Sequence, residues 1–221
     1  MPQNASTGLT DRGSPRLGRG LYAVTDGPRV DLLAVARAAL EGGAAMLQYR
    51  DKTRDATRRL QEARALKALC VELDVPLIIN DDVELARLSG AAGVHLGEGD
   101  PAIVDARIAL GRGAVVGVSC YDSLQRAREA AAAGADYLAF GAFFPSITKP
   151  GARHAGPGLL RDAREFGLPL VAIGGITPEN GGSLIAAGAD YLAVVSALFR
   201  AADVRTAAAR FTALFQTRGK A

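Results

Sequence analysis

The sequence predicts a single (β/α)8 barrel, the TIM-barrel form of α/β fold, behind a disordered N-terminal tail. Three observations carry this. Short apolar runs alternate with longer segments of helical pattern along nearly the whole 221-residue chain. The runs are almost continuously apolar, as parallel strands covered on both faces must be. A glycine-alanine signature recurs at Gly43, Gly90, Gly134 and Gly188, each time just before a strand, and each interval holds two strand–helix units. A fourfold βαβα repeat gives eight strands and argues for closure over an open doubly wound sheet, which offers no reason for quarter-turn symmetry.

In chain order, residues 1–19 are rich in Gly, Ser, Pro and Thr without apolar periodicity, so they form the predicted disordered tail, and 20–221 the barrel domain. The tail's arginines faintly suggest a transit peptide, but Asp11, Pro15 and the lack of an amphipathic face argue against it. Strands are predicted at 21–25, 45–50, 76–80, 93–96, 115–119, 137–141, 168–173 and 191–195. Helices are predicted at 30–41, 53–73, 83–88, 103–110, 123–133, 159–166, 178–187 and 203–217, the last with Asp203 as N-cap. The repeat glycines are read as marks of helix ends, where the chain turns tightly into the next strand.

Composition fits this frame. Hydrophobic residues make up 49% and charged residues 22%, while aromatics are only 5% and tryptophan is absent. That mixture suits close helix-on-strand packing better than a β-sandwich. The net charge of +3 is modest and partly held in the tail by Arg12, Arg16 and Arg19. No basic stripe with interleaved aromatics occurs, so no nucleic-acid partner is expected. No apolar run approaches the ~20 residues of a membrane span, so no membrane partner is expected either. Cys70 and Cys120 match neither a disulfide nor a metal pattern and read as reduced thiols of a cytoplasmic protein.

Barrel chemistry sits at the C-terminal ends of the strands. Asp136 and Asp190 precede their strands and read as structural. After strand 2, Gln48, Arg50 and Lys52 share one side of extended chain and offer an amide and two cations. The bland reading is a solvated strand end with Asp51 or Thr53 capping the helix. Inward glutamine and arginine are costly without a partner, and an anionic ligand supplies one. After strand 3 the apolar run drives into Asn80-Asp81-Asp82, and strand 4 is followed by Gly97-Glu98-Gly99-Asp100. With Asp82 as helix cap, Asp81 and Asp100 remain as ligands for a hard cation such as Mg²⁺; the plainer alternative makes both Asp82 and Asp100 caps. Strand 5 brings Ser119 to the mouth. Ser146, Thr148 and Lys149 after strand 6 carry donors suited to phosphate. Gly174-Gly175 after strand 7, and Val195-Ser196 with a short helix at 197–201 after strand 8, fit the recurrent phosphate cradle of these barrels. Two anion sites result, enough for two phosphorylated small-molecule substrates.

Taken in order, LYAVTD, QYRDK, INDDVELA, GVHLGEGD, GVS, Ser-x-Thr-Lys at 146–149, IGGI and VVSAL resemble the thiamine-phosphate synthases from Leu21 to about Phe199. The resemblance implies a magnesium-dependent transferase of thiamine biosynthesis. Such an enzyme joins hydroxymethylpyrimidine diphosphate to hydroxyethyl-methylthiazole phosphate and releases diphosphate. It further implies that Gln48, Arg50, Lys52 and Asn80 contact the pyrimidine diphosphate and that Ser119 and Lys149 meet the pyrimidine substrate. Asp81 and Asp100 would hold Mg²⁺; Ser146, Thr148, Gly175, Val195 and Ser196 would cradle the thiazole phosphate. Arg50, Lys52, Ser119 and Lys149 take the catalytic roles. The chain departs from the pattern at Glu98, commonly Gln, at Ser146, usually Thr, and at Cys120-Tyr121, where a residue followed by His is frequent. Related thiazole tautomerases share the barrel but work through a histidine; the two here are His95, read as packed at the strand 4 end, and His154 in a loop. A non-catalytic binder would be expected to have lost Asp81, Asp100 or Ser119. A homo-oligomer is compatible with the sequence.

Overall fold

The computed structural model describes residues 17–100, 102–145 and 154–216. Its eight parallel strands close into a barrel in sequence order, β8 returning to β1 through Leu21 opposite Leu192. The order is β1 (Gly20–Val24), α1 (Leu32–Glu41), β2 (Ala44–Tyr49), α2 (Ala56–Glu72), β3 (Leu77–Asn80) and α3 (Val83–Ser89). Next come β4 (Gly93–Leu96), α4 (Ile103–Leu110), β5 (Val115–Tyr121), α5 (Leu124–Ala132), β6 (Tyr137–Phe140) and α6 (Gly158–Ala163), which a 3-10 turn at Arg164–Phe166 extends. The chain finishes with β7 (Leu170–Ile173), α7 (Gly181–Ala187), β8 (Tyr191–Val194), a short α8 (Ser196–Phe199) and α9 (Val204–Gln216). Among the described residues no helix is long and apolar enough to cross a membrane.

The fourfold repeat is visible in backbone geometry. Gly43, Gly90, Gly134 and Gly188 all adopt positive φ, at 96°, 67°, 91° and 120°, the conformation that a side chain disfavours. Asp136 and Asp190 are structural and equivalent. Asp136 accepts the Val116 N–H at 2.7 Å and pairs with Arg107, while Asp190 accepts the Leu170 N–H at 3.0 Å and pairs with Arg164. Each ties the start of one strand to the start of its neighbour.

Two cores follow from the composition. Between barrel and helices, Ala36, Ala39, Ala63, Ala106, Ala127 and Ala208 are fully buried, and their small side chains let helices sit close on the strands. Inside the barrel lie Tyr22, Val24, Met46, Ile78, Val115, Tyr137, Val171 and Tyr191. Three of the chain's five tyrosines therefore fill the lumen. Tyr22 meets Tyr137 edge-on at 6.0 Å, and Gly117 makes room, since a Cβ there would fall 1.9 Å from the Tyr137 ring. Alternation along each strand places Gln48, Asn80, His95 and Ser119 above this apolar filling.

Some boundaries differ from expectation, each for a local reason. α2 starts at Ala56, capped by Asp55, which accepts the Arg58 N–H at 3.0 Å, and not by Asp51 or Thr53. Asp51 is drawn beneath the loop by Thr53 and Arg58 instead. α7 starts at Gly181 because Asn180 holds the Thr177 N–H in a turn. β5 runs on to Tyr121, with a register irregularity between Ser119 and Tyr121. Asp203 caps α9 as expected, accepting the Thr206 N–H at 3.0 Å. Barrel contacts begin before residue 20: Leu17 packs against the lumen cluster, and Arg19 lies 3.6 Å from Asp190. The rest of the predicted tail, 1–16, lies outside the described residues, as does Thr217 of the last predicted helix.

Candidate active site

The polar run Asn80-Asp81-Asp82 divides its labour. Asp82 caps α3 by accepting the Leu85 N–H at 2.8 Å, and it takes Arg59 Nη2 at 3.0 Å. Asp81 donates its N–H to the His95 carbonyl at 2.8 Å and sits at φ 63°, a left-handed conformation uncommon for a residue with a side chain. That bend carries its carboxylate over the barrel end instead of along the strand. Lys52 Nζ lies 3.3 Å from Asp81 Oδ2. Asp51, Lys52, Thr53, Arg59, Asn80, Asp81 and Asp82 line a pocket of about 330 Å³.

Asp100 meets Asp81 across the β3–β4 gap and accepts the Gly97 N–H. Burial raises the Asp100 carboxyl above its usual range, and contact with Asp81 raises it further against the lowering pull of Lys52. Two carboxylates held together favour a cation between them. Their hard oxygens, with room for phosphate oxygens alongside, fit Mg²⁺. Among the described residues no group of three or more His, Cys, Asp or Glu could hold a metal by itself.

Arg50 is placed by its backbone. The buried Thr25 hydroxyl accepts the Arg50 N–H at 2.7 Å and donates to the Arg50 carbonyl at 3.1 Å. No described residue pairs with the Arg50 guanidinium, which leaves the cation at the mouth. Beneath it, Asp51 accepts Thr53 N–H at 2.7 Å and Arg58 at 2.6 Å. Burial alone would raise the Asp51 carboxyl, but these donors hold it below the usual carboxylate range.

Gln48 and Ser119 stand on opposite sides of the lumen. Gln48 Nε2 donates to Tyr22 at 2.7 Å, and Ser119 Oγ lies 2.9 Å from His95 Nε2. Arg126 clamps the β5 end, donating to the Ser119 carbonyl at 2.6 Å and the Gly97 carbonyl at 2.8 Å, with its guanidinium over the Tyr121 ring. The departures at Glu98 and Tyr121 meet here: the Glu98 N–H donates to the Tyr121 hydroxyl at 3.3 Å, and the Glu98 side chain is exposed.

On the far side of the mouth, Gly174 and Gly175 have φ of 104° and 62°. A Cβ on Gly175 would fall 2.5 Å from the Pro145 carbonyl, so the β6 loop can rest on this backbone only because it is glycine. Asn180 pins the loop through the Gly175 carbonyl at 3.0 Å and the Thr177 N–H at 2.8 Å. Val195 and Ser196 open α8, which starts one residue before and ends two residues before the predicted 197–201, and Arg29 holds its other end through the Phe199 carbonyl at 2.9 Å. Ser146, Thr148 and Lys149 lie outside the described residues. His154 is exposed. Sequence reasoning passed over Tyr22, Tyr137, Arg59, Arg126 and Asn180; the first two looked like filling in apolar runs, and the others gain meaning only from partners on other elements.

Fold and mouth together define a (β/α)8 barrel whose strand ends bring Lys52, Asp81 and Asp100 together at one rim. The family model described as thiamine monophosphate synthase matches residues 21–198. The thiamine-phosphate synthase of Thiobacillus denitrificans is 56% identical over 199 residues, 89% of this chain and 94% of that one. That of Nitrosococcus oceani is 53% identical over 197 residues, 87% and 91% of the two chains. Among solved structures, thiamine phosphate pyrophosphorylase from Pyrococcus furiosus superposes with a TM-score of 0.81 at 35% identity, covering 90% of this chain and 96% of that one. The chain belongs to the thiamine monophosphate synthase family.

Proposed function

We propose that this chain is a transferase of thiamine biosynthesis, a thiamine-phosphate synthase. It joins 4-amino-2-methyl-5-hydroxymethylpyrimidine diphosphate to 4-methyl-5-(2-phosphooxyethyl)thiazole. The pyrimidine methylene loses its C–O bond to diphosphate, the thiazole nitrogen forms the new C–N bond, and thiamine phosphate and diphosphate result. The observation that carries this reading is Lys52 beside the facing pair Asp81 and Asp100 at the rim, two residues along the chain from Arg50, whose guanidinium is paired with no described residue. That set suits a diphosphate held with a divalent cation.

Each residue's task follows from where it stands. Asp81 and Asp100 would hold Mg²⁺, which supplies charge neutralisation to diphosphate oxygens. Arg50 offers its fork to the same oxygens and stabilises charge as it builds on the leaving group. Lys52 adds a mobile point charge, and Asn80 an amide, at the same rim. Gln48 and Ser119 orient the pyrimidine ring. Lys149 completes the cationic set, and Ser146 and Thr148, with the backbone of Gly175, Val195 and Ser196, fix the thiazole phosphate so that its nitrogen faces the methylene. Placement of the two reactants relieves much of the entropic barrier. A cytoplasmic setting accords with two buried, unpaired cysteines.

The test is to mix purified protein with both substrates, with and without Mg²⁺, and follow diphosphate and thiamine phosphate together. Both should appear in equal amounts only with Mg²⁺, and Asp81→Ala should abolish them. Binding of both substrates without product would overturn the synthase reading.

A further inference from the structure

Five polar side chains are strung through the barrel lumen. Gln48 Nε2 lies 2.7 Å from the Tyr22 hydroxyl, which lies 2.8 Å from the Tyr137 hydroxyl. The Tyr137 hydroxyl lies 2.9 Å from His95 Nδ1, and His95 Nε2 lies 2.9 Å from Ser119 Oγ. The residues come from β2, β1, β6, β4 and β5, so the string crosses from one wall to another. Its two ends are Gln48 and Ser119, the residues assigned above to the pyrimidine ring. The His95 ring stacks on Tyr137 at 5.6 Å, which holds the central link in place.

Counting hydrogens gives the string a direction. Each hydroxyl carries one hydrogen, and a neutral imidazole carries one N–H. Burial pushes both tyrosine hydroxyls well above their ordinary ionisation range, so both keep their hydrogens. An amide nitrogen can only donate, so Tyr22 accepts from Gln48 and gives its own hydrogen to Tyr137. Tyr137 then gives its hydrogen to His95 Nδ1. With Nδ1 an acceptor, the ring hydrogen sits on Nε2 and is donated to Ser119 Oγ. Ser119 accepts from below, which leaves its own O–H to donate into the mouth. At the other end Gln48 Oε1, taken up by no described residue, is left as an acceptor.

We propose that Tyr22, Tyr137 and His95 are positioning residues forming a polarised relay, which holds Ser119 as donor and Gln48 as acceptor toward the bound ligand. The site then selects a ligand with an acceptor facing Ser119 and a donor facing Gln48. The ring nitrogen and amino group of an aminopyrimidine have this pattern. A ring with an oxo group and a ring N–H has the reverse pattern. Against it the Ser119 O–H and Gln48 Oε1 stay unmatched unless the Gln48 amide turns and all four hydrogen bonds reverse together. Links in a buried chain polarise one another, so reversal of one resists reversal of the rest. A glutamine and a serine that rotated independently would discriminate far less. The ligand's identity rests on the synthase reading; the direction of the relay does not.

Two measurements on the full chain test this. In the first, ¹⁵N NMR of histidine-labelled free protein near neutral pH, with His154→Gln to assign the signals, reads the His95 tautomer. The Nε2–H form is expected, and an Nδ1–H majority or an even mixture overturns the relay. In the second, Tyr137→Phe cuts the string while leaving both ends. Its kcat/KM preference for the aminopyrimidine diphosphate over the oxo analogue should fall about tenfold or more, the worth of a lost buried hydrogen bond. Its KM for thiazole phosphate should not change. A preference equal to that of the parent chain also overturns the relay. If Tyr137→Phe fails to fold, Tyr22→Phe cuts the same string one link earlier and is read in the same way. If the parent chain turns over neither pyrimidine, the synthase reading fails, and the tautomer alone decides the relay.

Discussion

At the scale of single residues, Arg50 and Asp81 give opposite kinds of expectation. Thr25 fixes the Arg50 backbone from both sides, so truncating the side chain should leave the fold intact. Arg50→Ala should lower kcat about 10²–10³-fold, the usual worth of a group aimed at developing charge. An unchanged midpoint of thermal unfolding would show that the loss is chemical. Asp81 carries strain that serves ligand binding: it faces Asp100, and its φ of 63° suits asparagine better than aspartate. Lys52 offsets little of the repulsion, being 61% exposed. Asp81→Asn should therefore raise the unfolding temperature of the metal-free protein while removing Mg²⁺-dependent turnover. A lower melting point would mean that Lys52 outweighs Asp100. Gln48, Arg50 and Ser119 were legible as candidates because they interrupt apolar runs where alternation points into the mouth, whereas Asp81 stands at the opposite parity and comes over the barrel end only through its left-handed bend. Tyr22 and Tyr137 were not, because a tyrosine in an apolar run reads as core until barrel closure shows what its hydroxyl meets.

Elements are held in register by side chains at the barrel's lower rim, and the repeat allows them to be compared. Asp136 and Asp190 each accept a strand-opening N–H and pair with arginine, Asp190 meeting Arg19 as well as Arg164, but their settings differ. The Asp136–Arg107 pair is 9% and 16% exposed, whereas Arg164 opposite Asp190 is 55% exposed. Removing Asp136 strands a largely buried guanidinium, so Asp136→Ala should cost about 3 kcal/mol. Asp190→Ala should cost about 1–2 kcal/mol, mainly for the Leu170 N–H left without its acceptor. Denaturant midpoints of the two variants measure the difference, and equal losses would show that burial of the arginine does not set the cost. The strands and the repeat glycines were legible since both follow from local chain physics: apolar runs of strand length and glycines at left-handed turns. Helix starts were less so. Asp51, Thr53 and Asp55 are all credible caps for α2, and only the pull of Arg58 on Asp51 decides among them.

For the molecule as a whole, filling the lumen and the helix layer with weakly acidic groups makes the fold sensitive to alkali. Burial, first among the causes, raises Tyr22, Tyr49, Tyr137 and Tyr191 far above the ordinary value of 10.0. It also pushes Cys70 and Cys120 from 9.0 up to about 12. These groups keep their protons in the folded chain and lose them in the unfolded one. Stability is therefore fully present below the unfolded values and falls as pH rises through 9 for the cysteines and 10 for the tyrosines. Each group contributes a slope of about 1.4 kcal/mol per pH unit until its folded value is reached. Against a net stability of about 5–15 kcal/mol, the combined slope should unfold the protein near about pH 11. The transition should be all-or-none, because a single tyrosinate in the string from Gln48 to Ser119 would be a buried charge without a partner. In Tyr121→Phe, where only these four tyrosines contribute, tyrosinate absorbance and far-UV circular dichroism followed together against pH should move in one coincident step. Tyrosines that titrated near pH 10 with the dichroism intact would mean that water enters the lumen, and the directional argument for the relay would lose its dry interior.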